Sequence, residues 1–272
     1  MIHEKDKKII AVKTFFSRIG QAASVLFRRV IAWSFWEKLR WKNVYPKIKS
    51  FCEIIAAFTK AQPRTAAFIY VCLFAAFSIE FLDIPLAKTV LRADPNRFLS
   101  FMEDINPSGW WFPILGLVWI FFAVKAGLSL TTDAFEKNLT KARSIAFVLL
   151  ALSLSSLVTI FFNILIGRYT PYFLGKMNLT GFSPFRFRIS ETSFPSFGVQ
   201  SAWAIAVAFA FYYPKLKKLF YALAAVETLV LPLTAICFLS DAAIGAYIGI
   251  MMFFVARWVV SEGRENTPLF SR

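Results

Sequence analysis

From residue 65 onward, six apolar stretches alternate with short polar or charged segments, at 65–82, 110–130, 144–166, 199–213, 219–239 and 242–260. Each approaches the roughly 20 residues an α-helix needs to cross bilayer hydrocarbon, although 199–213 must borrow from its flanks. Residues 1–64 follow a different pattern. Ile9, Ile10, Phe16 and Ile19, then Val25, Leu26 and Ile31, interleave with Lys13, Arg18, Arg28 and Arg29 at helical spacing. That alternation predicts an amphipathic helix lying on a surface. The expected organisation is a basic amphipathic segment over 1–64, a six-helix membrane domain over 65–260 and a tail over 261–272. No internal repeat or low-complexity stretch is evident.

Composition agrees with the pattern. The 272 residues are 58% hydrophobic, 18% aromatic and 17% charged, with a mean hydropathy of +0.59. A soluble domain carries about 25% charge. Disorder is excluded by the apolar content, and three dispersed cysteines, Cys52, Cys72 and Cys237, do not make a disulfide framework. The net charge of +15 is concentrated at the front, where residues 1–64 hold 14 Lys+Arg against 4 Asp+Glu. Such charge suits a nucleic-acid arm. With Trp33, Trp36 and Trp41 beside the membrane spans, it suits an anionic cytoplasmic leaflet better, and no nucleic-acid partner is expected. The segment lacks the uninterrupted apolar core and small-residue cleavage site of a signal peptide.

Six spans place both termini on one side. With that arrangement 24 Lys+Arg fall on the side of the termini and 7 on the other, so the positive-inside bias puts the termini in the cytoplasm. The loops over 83–109 and 167–198 then face outward. Three polar stretches meet on that face. They are Asn163 to Pro171 at the end of the third span, Ser193 to Gly198 before the fourth, and Cys237 to Asp241 between the fifth and sixth.

These stretches resemble the type 2 phosphatidic acid phosphatase superfamily and, within it, the lipid A phosphatase-like branch. The family pattern is K-x6-R-P, then P-S-G-H, then S-R-x5-H-x3-D. FNILIGRYTPYF (162–173) looks like the first motif, SFPSFGVQSAWA (193–204) like the second and CFLSDAAIGAYIG (237–249) like the tail of the third. The resemblance covers residues 65–260 and implies an all-α, six-helix membrane bundle in a bacterial inner membrane, its site facing the periplasm. It also implies a chemistry in which a third-motif His attacks phosphorus, an Asp orients it and a second-motif His protonates the leaving group. Lys, Arg and backbone amides hold the phosphate.

Placed on that pattern, Asn163 falls at the Lys position, Thr170 at the first Arg, Gly198 at the first His, Leu231 at the second Arg and Cys237 at the nucleophilic His. Phe197 replaces the motif glycine. Pro171, Pro195, Ser196 and Asp241 are retained. The only histidine is His3, in the front segment, so no other can substitute. Cys237 reads either as an inert small residue or as a thiolate nucleophile, the latter requiring nearby positive charge. Asp241 reads as an N-cap of the sixth helix, a partner for Arg168 or a relic. Ser196 reads as a helix cap or an anion contact. Arg168, Ser196 and Asp241 are the candidate phosphate or head-group contacts. Glu227, inside the fifth span, is expected to be a protonated, hydrogen-bonded packing residue.

The expected function is that of a lipid-phosphatase-like membrane protein without catalysis, binding a phosphorylated lipid head group or a lipid-processing partner at its outer face. An active phosphatase with an atypical site, acting on phosphatidic acid, prenyl diphosphate or lipid A, is the first alternative. A structural membrane subunit is the second. Neither metal nor cofactor is called for.

Overall fold

The computed structural model describes residues 41–93, 109–185, 187–188 and 191–265. The expectations for 1–40, including His3, Trp33 and Trp36, and for 266–272 lie outside the described residues, as do Arg97 and Arg186. The chain divides into two compact units, Met1–Pro63 and Arg64–Arg272. The described part of the first unit is helix α1 (Trp41–Ala61). Its Ile48, Phe51, Ile54, Ile55 and Phe58 recur at three- and four-residue spacing and are all exposed.

The second unit is built from helices α2 (Pro63–Phe81), α3 (Asp83–Ala93), α4 (Trp111–Gly127), α5 (Thr132–Ile166), α6 (Pro171–Met177), α7 (Phe197–Tyr212), α8 (Lys217–Leu233) and α9 (Leu239–Glu265). Three helical segments, Pro63–Phe81, Thr132–Ile166 and Leu239–Ser261, are long and apolar enough to cross a membrane. Helices α4 and α7 are apolar but shorter. Phe68, Leu73, Phe77 and Phe81 on α2 and Leu219, Leu223 and Val226 on α8 are exposed, an arrangement that suits helices facing hydrocarbon. The chain is an integral membrane protein.

Two boundaries differ from the sequence reading. The third apolar run begins at 144, but α5 starts at Thr132 and continues for 35 residues. Nothing in 132–143 breaks a helix, and the Thr131 side chain caps the start by accepting from the Ala134 N–H at 3.4 Å. At about 1.5 Å per residue, α5 outruns the hydrocarbon thickness. The fifth run, expected to reach 239, ends as helix at Leu233. Pro232 occupies its last turn and Ala235 takes a left-handed φ of 56°, which turns the chain toward α9.

The core lies where α4, α5, α7 and α9 meet, around Val148, Ala151, Leu152, Ile205, Ala208 and Phe253. Helix α7 is its centre because small residues let neighbours approach from several sides. Ala202, Ala204, Ala206, Ala208 and Ala210 are all buried. The closest approach is between α7 and α9, through Gly245 and Gly249. A Cβ at Gly245 would stand 2.6 Å from the Ser196 carbonyl oxygen, and one at Gly249 would overlap the Gln200 carbonyl and lie 2.9 Å from the Ala204 nitrogen. This is the small-xxx-small packing by which membrane helices bring their backbones together. It ties the start of α7 to the start of α9, and so brings the second and third polar stretches together.

Candidate outward cavity

Helix α5 stops because Gly167 adopts φ 60° and ψ 44°, its N–H returning to the Asn163 carbonyl at 2.9 Å. The next residues run extended and are pinned on two sides. Arg168 bridges Phe182 and Tyr169 bridges Thr192 in antiparallel fashion. The Ser193 N–H donates to the Arg168 carbonyl at 2.9 Å, and the Ser196 N–H donates to the Asp241 carbonyl at 3.0 Å. The three polar stretches therefore converge, as their positions at span ends require.

Within this junction Arg168 is only 5% exposed. Its Nη1 donates to Asp241 Oδ1 and to Ser240 Oγ, each at 2.6 Å, and its Nη2 donates to Asp83 Oδ2 at 2.8 Å. Its guanidinium lies 4.1 Å from the centroid of the Phe238 ring, a stacked cation–π arrangement. Asp83 also accepts from Ser78 Oγ at 2.7 Å and from the Ser240 N–H at 3.2 Å. Asp83 and Asp241 sit in the first turns of α3 and α9, where the helix dipole favours a carboxylate.

The sequence leaves Asp241 three readings, an N-cap, an Arg168 partner or a relic. It pairs with Arg168, and its capping role is exercised from three residues into the turn. Its Oδ2 accepts from the Phe238 N–H at 3.2 Å, the reach-back half of a capping box. Ser196 holds the position before α7, yet its side chain makes no capping hydrogen bond.

Beside this cluster opens a cavity of about 480 Å³. Four of the five positions that stand where the family motif has cationic or histidine residues line it together, namely Thr170, Gly198, Leu231 and Cys237. The fifth, Asn163, does not. It is buried, its amide donating to the Thr159 carbonyl at 3.0 Å and the Pro195 carbonyl at 3.2 Å, while Thr192 Oγ1 donates to its Oδ1 at 2.7 Å. The rest of the wall is hydroxylic and aromatic, with Thr192, Ser193 and Ser196 facing Tyr172, Phe173 and Phe197. Phe197 lines the space and leaves it open. Glu191 is the acidic member of the wall, paired with Arg188 at 3.2 Å. Among the described residues that line the cavity there is no Lys, Arg or His.

The expected trio of head-group contacts is thus divided. Ser196 lines the cavity, whereas Arg168 and Asp241 face each other and do not. The correction has a physical cause: two buried carboxylates hold a guanidinium more firmly than an exposed head group would. Asp83 was not foreseen. An acid at the very end of the first apolar run is a visible signal, but its partner lies 85 residues away.

Cys237 is 3% exposed. Burial pushes its thiol well above the usual cysteine range, and the carboxylates of Asp241 and Asp83 push it further than Arg168 draws it back. It stays a thiol near neutrality, contrary to the thiolate reading. Glu227 lies outside the cavity, and its Oε1 is buried without a hydrogen-bond partner among the described residues.

The structure is similar to the crystal structure of a transmembrane PAP2-type phosphatidylglycerolphosphate phosphatase from Bacillus subtilis, with a TM-score of 0.50 and 18% sequence identity over 76% of this chain and 100% of that one. No protein-family model and no curated protein matches the sequence. The chain has the fold of the PAP2-type membrane phosphatases.

Proposed function

We propose that this protein keeps the six-span PAP2 architecture, with α2, α4, α5, α7, α8 and α9 as the spans, but carries out no phosphoryl transfer. In this reading it binds a membrane lipid head group, phosphorylated lipids included, in the outward cavity. The observation that carries the reading is the clustering of Thr170, Gly198, Leu231 and Cys237 around one cavity. The fold still directs these positions to a common space, while each side chain is unable to do what the motif position asks of it. Gly198 has no proton to give, Leu231 and Thr170 carry no charge, and the Cys237 thiol is held protonated. Losing one donor to a developing oxyanion costs about 2.7–4 kcal/mol of transition-state stabilisation. Loss of the nucleophile alone removes several decades of rate.

What remains suits binding. Hydroxyls on Thr170 and Ser196 offer polar contacts to head-group oxygens, and Tyr172, Phe173 and Phe197 offer apolar faces. The distribution of Lys and Arg supports cytoplasmic termini and a cavity on the opposite face, and the motif resemblance supports a bacterial inner membrane with that face toward the periplasm. Residues 1–64 are assigned to the anionic cytoplasmic leaflet.

The test is a paired measurement on the full chain in nanodiscs. Phosphate release from phosphatidic acid, prenyl diphosphate and lipid A should not exceed that of empty discs. Lipid retained after delipidation, read by native mass spectrometry, should fall when Gly198→Trp fills the cavity. Phosphate release that Gly198→Trp abolishes would establish an active enzyme instead. Retention that Gly198→Trp leaves unchanged would remove the cavity from the function and favour a structural subunit.

A further inference from the structure

A second cavity, of about 170 Å³, lies between α4, α7 and α8, away from the outward site. Its wall is apolar, formed chiefly by Ala206, Phe209, Phe220 and Leu223, except for two polar side chains, Trp111 and Glu227. Trp111 Nε1 and Glu227 Oε1 are both buried without a hydrogen-bond partner. A buried polar atom in an apolar medium is costly when unpaired, and within a bilayer no bulk water relieves it. Two such atoms on one cavity, one a donor and one an acceptor, point to a ligand that satisfies both.

The inventory of polar groups narrows the choice. The indole N–H only donates, so its partner must accept; the Glu227 oxygen calls for a partner that donates. An ammonium donates but cannot accept, and would leave Trp111 orphaned. A carboxylate or phosphate only accepts, and would leave the Glu227 oxygen without a donor. A hydroxyl does both. Water does both as well, yet the space corresponds to about six waters at ~30 Å³ each, and ordered water needs two to four polar partners apiece. Two polar atoms cannot hold that many. The remaining volume calls for an apolar body. Leu223, on the rim, is 59% exposed and faces the medium from which such a molecule would enter.

We propose that this cavity is an intramembrane binding site for a single-hydroxyl amphiphile, an alcohol on a hydrocarbon body, held by Trp111 and Glu227. The site is independent of the outward cavity and of the reading drawn from it.

The test uses the full chain in nanodiscs, photolabelled with a diazirine-bearing dodecanol, with adducts mapped by mass spectrometry. Adducts should fall on α8 and the start of α4. Dodecanol should compete, while dodecane and dodecylamine should not. Glu227→Leu and Trp111→Phe should each lower labelling about tenfold, the effect of one lost hydrogen bond to a charged or buried group. Glu227→Gln should retain labelling, because the amide oxygen still accepts. Equal competition by dodecane would reduce the site to non-specific apolar filling, and equal competition by dodecylamine would reassign it to a cation. Labelling elsewhere, or unchanged in both variants, would overturn the proposal. If the variants fail to fold, the competition series on the unaltered protein decides it.

Discussion

Arg168 donates to Asp83 at 2.8 Å across 85 residues of chain, with both side chains sealed from solvent. Asp241 completes the arrangement at 2.6 Å from the other nitrogen. One cation therefore holds the starts of two helices, α3 and α9, against the end of α5. A charge placed here is structural: it joins the ends of elements that the membrane alone would leave free to slide.

Replacing Arg168 with Met leaves two buried carboxylates unpaired. A destabilisation of about 3–5 kcal/mol is expected, since breaking a buried pair from one side uncovers a charge. Thermal unfolding in detergent, followed by intrinsic fluorescence, checks it. Asp83→Asn should cost less, because the amide still accepts from Ser78 or Arg168; a loss as large as that of Arg168→Met would mean the charge on Asp83 is essential.

Gly249→Ala should destabilise by about 1–3 kcal/mol, because the added methyl meets α7 backbone rather than a movable side chain. Gly116→Ala, on α4, is the control: nothing lies within 4 Å of a Cβ there. Its melting temperature should be unchanged or slightly higher. Equal losses at the two glycines would mean that close approach to α7 is not what Gly249 provides.

Maleimide labelling in native membranes should modify Cys52, which is exposed, and spare Cys237, which is buried. Because its folded thiol is raised far above the ordinary range, Cys237 labelling should not increase between pH ~7 and ~9. The sign also bears on stability. A raised thiol contributes nothing while it stays protonated in both states, and disfavours the folded form only once the unfolded thiol ionises, above about pH 8.5. Rapid labelling at neutral pH would reopen the thiolate reading.

Asn163→Leu should cost about 2–3 kcal/mol, since Thr192 and the Pro195 carbonyl lose their partner in a buried setting. Asn163→Lys should not generate phosphatase activity, because that side chain is enclosed away from the outward cavity. Phosphate release by Asn163→Lys would show that the site is one substitution from function.

Thr170, Gly198, Leu231 and Cys237, which motif register singles out in the sequence, line one cavity, because the helices carry the three polar stretches to a common place. Gly245 and Gly249 carried a readable signal, a small-xxx-small spacing in an apolar run, whose partner helix still had to be found. Asp83 was visible only as an acid at a span end. The pairing of Arg168 with Asp241 is one of the readings the sequence offers, whereas its second carboxylate, Asp83, lies 85 residues away and is found only in the fold.

By itself, the sequence determined that the chain is an apolar, helical membrane protein, that its basic charge lies at the front and that three polar stretches share one side. These are consequences of local periodicity and of hydrocarbon thickness, which act on each segment separately. The tertiary structure decided which charges neutralise one another, which motif positions face a cavity and which polar atoms are left without partners. Those properties depend on contacts between residues tens of positions apart, and burial turns a distance of a few ångströms into the difference between a ligand contact and an internal staple.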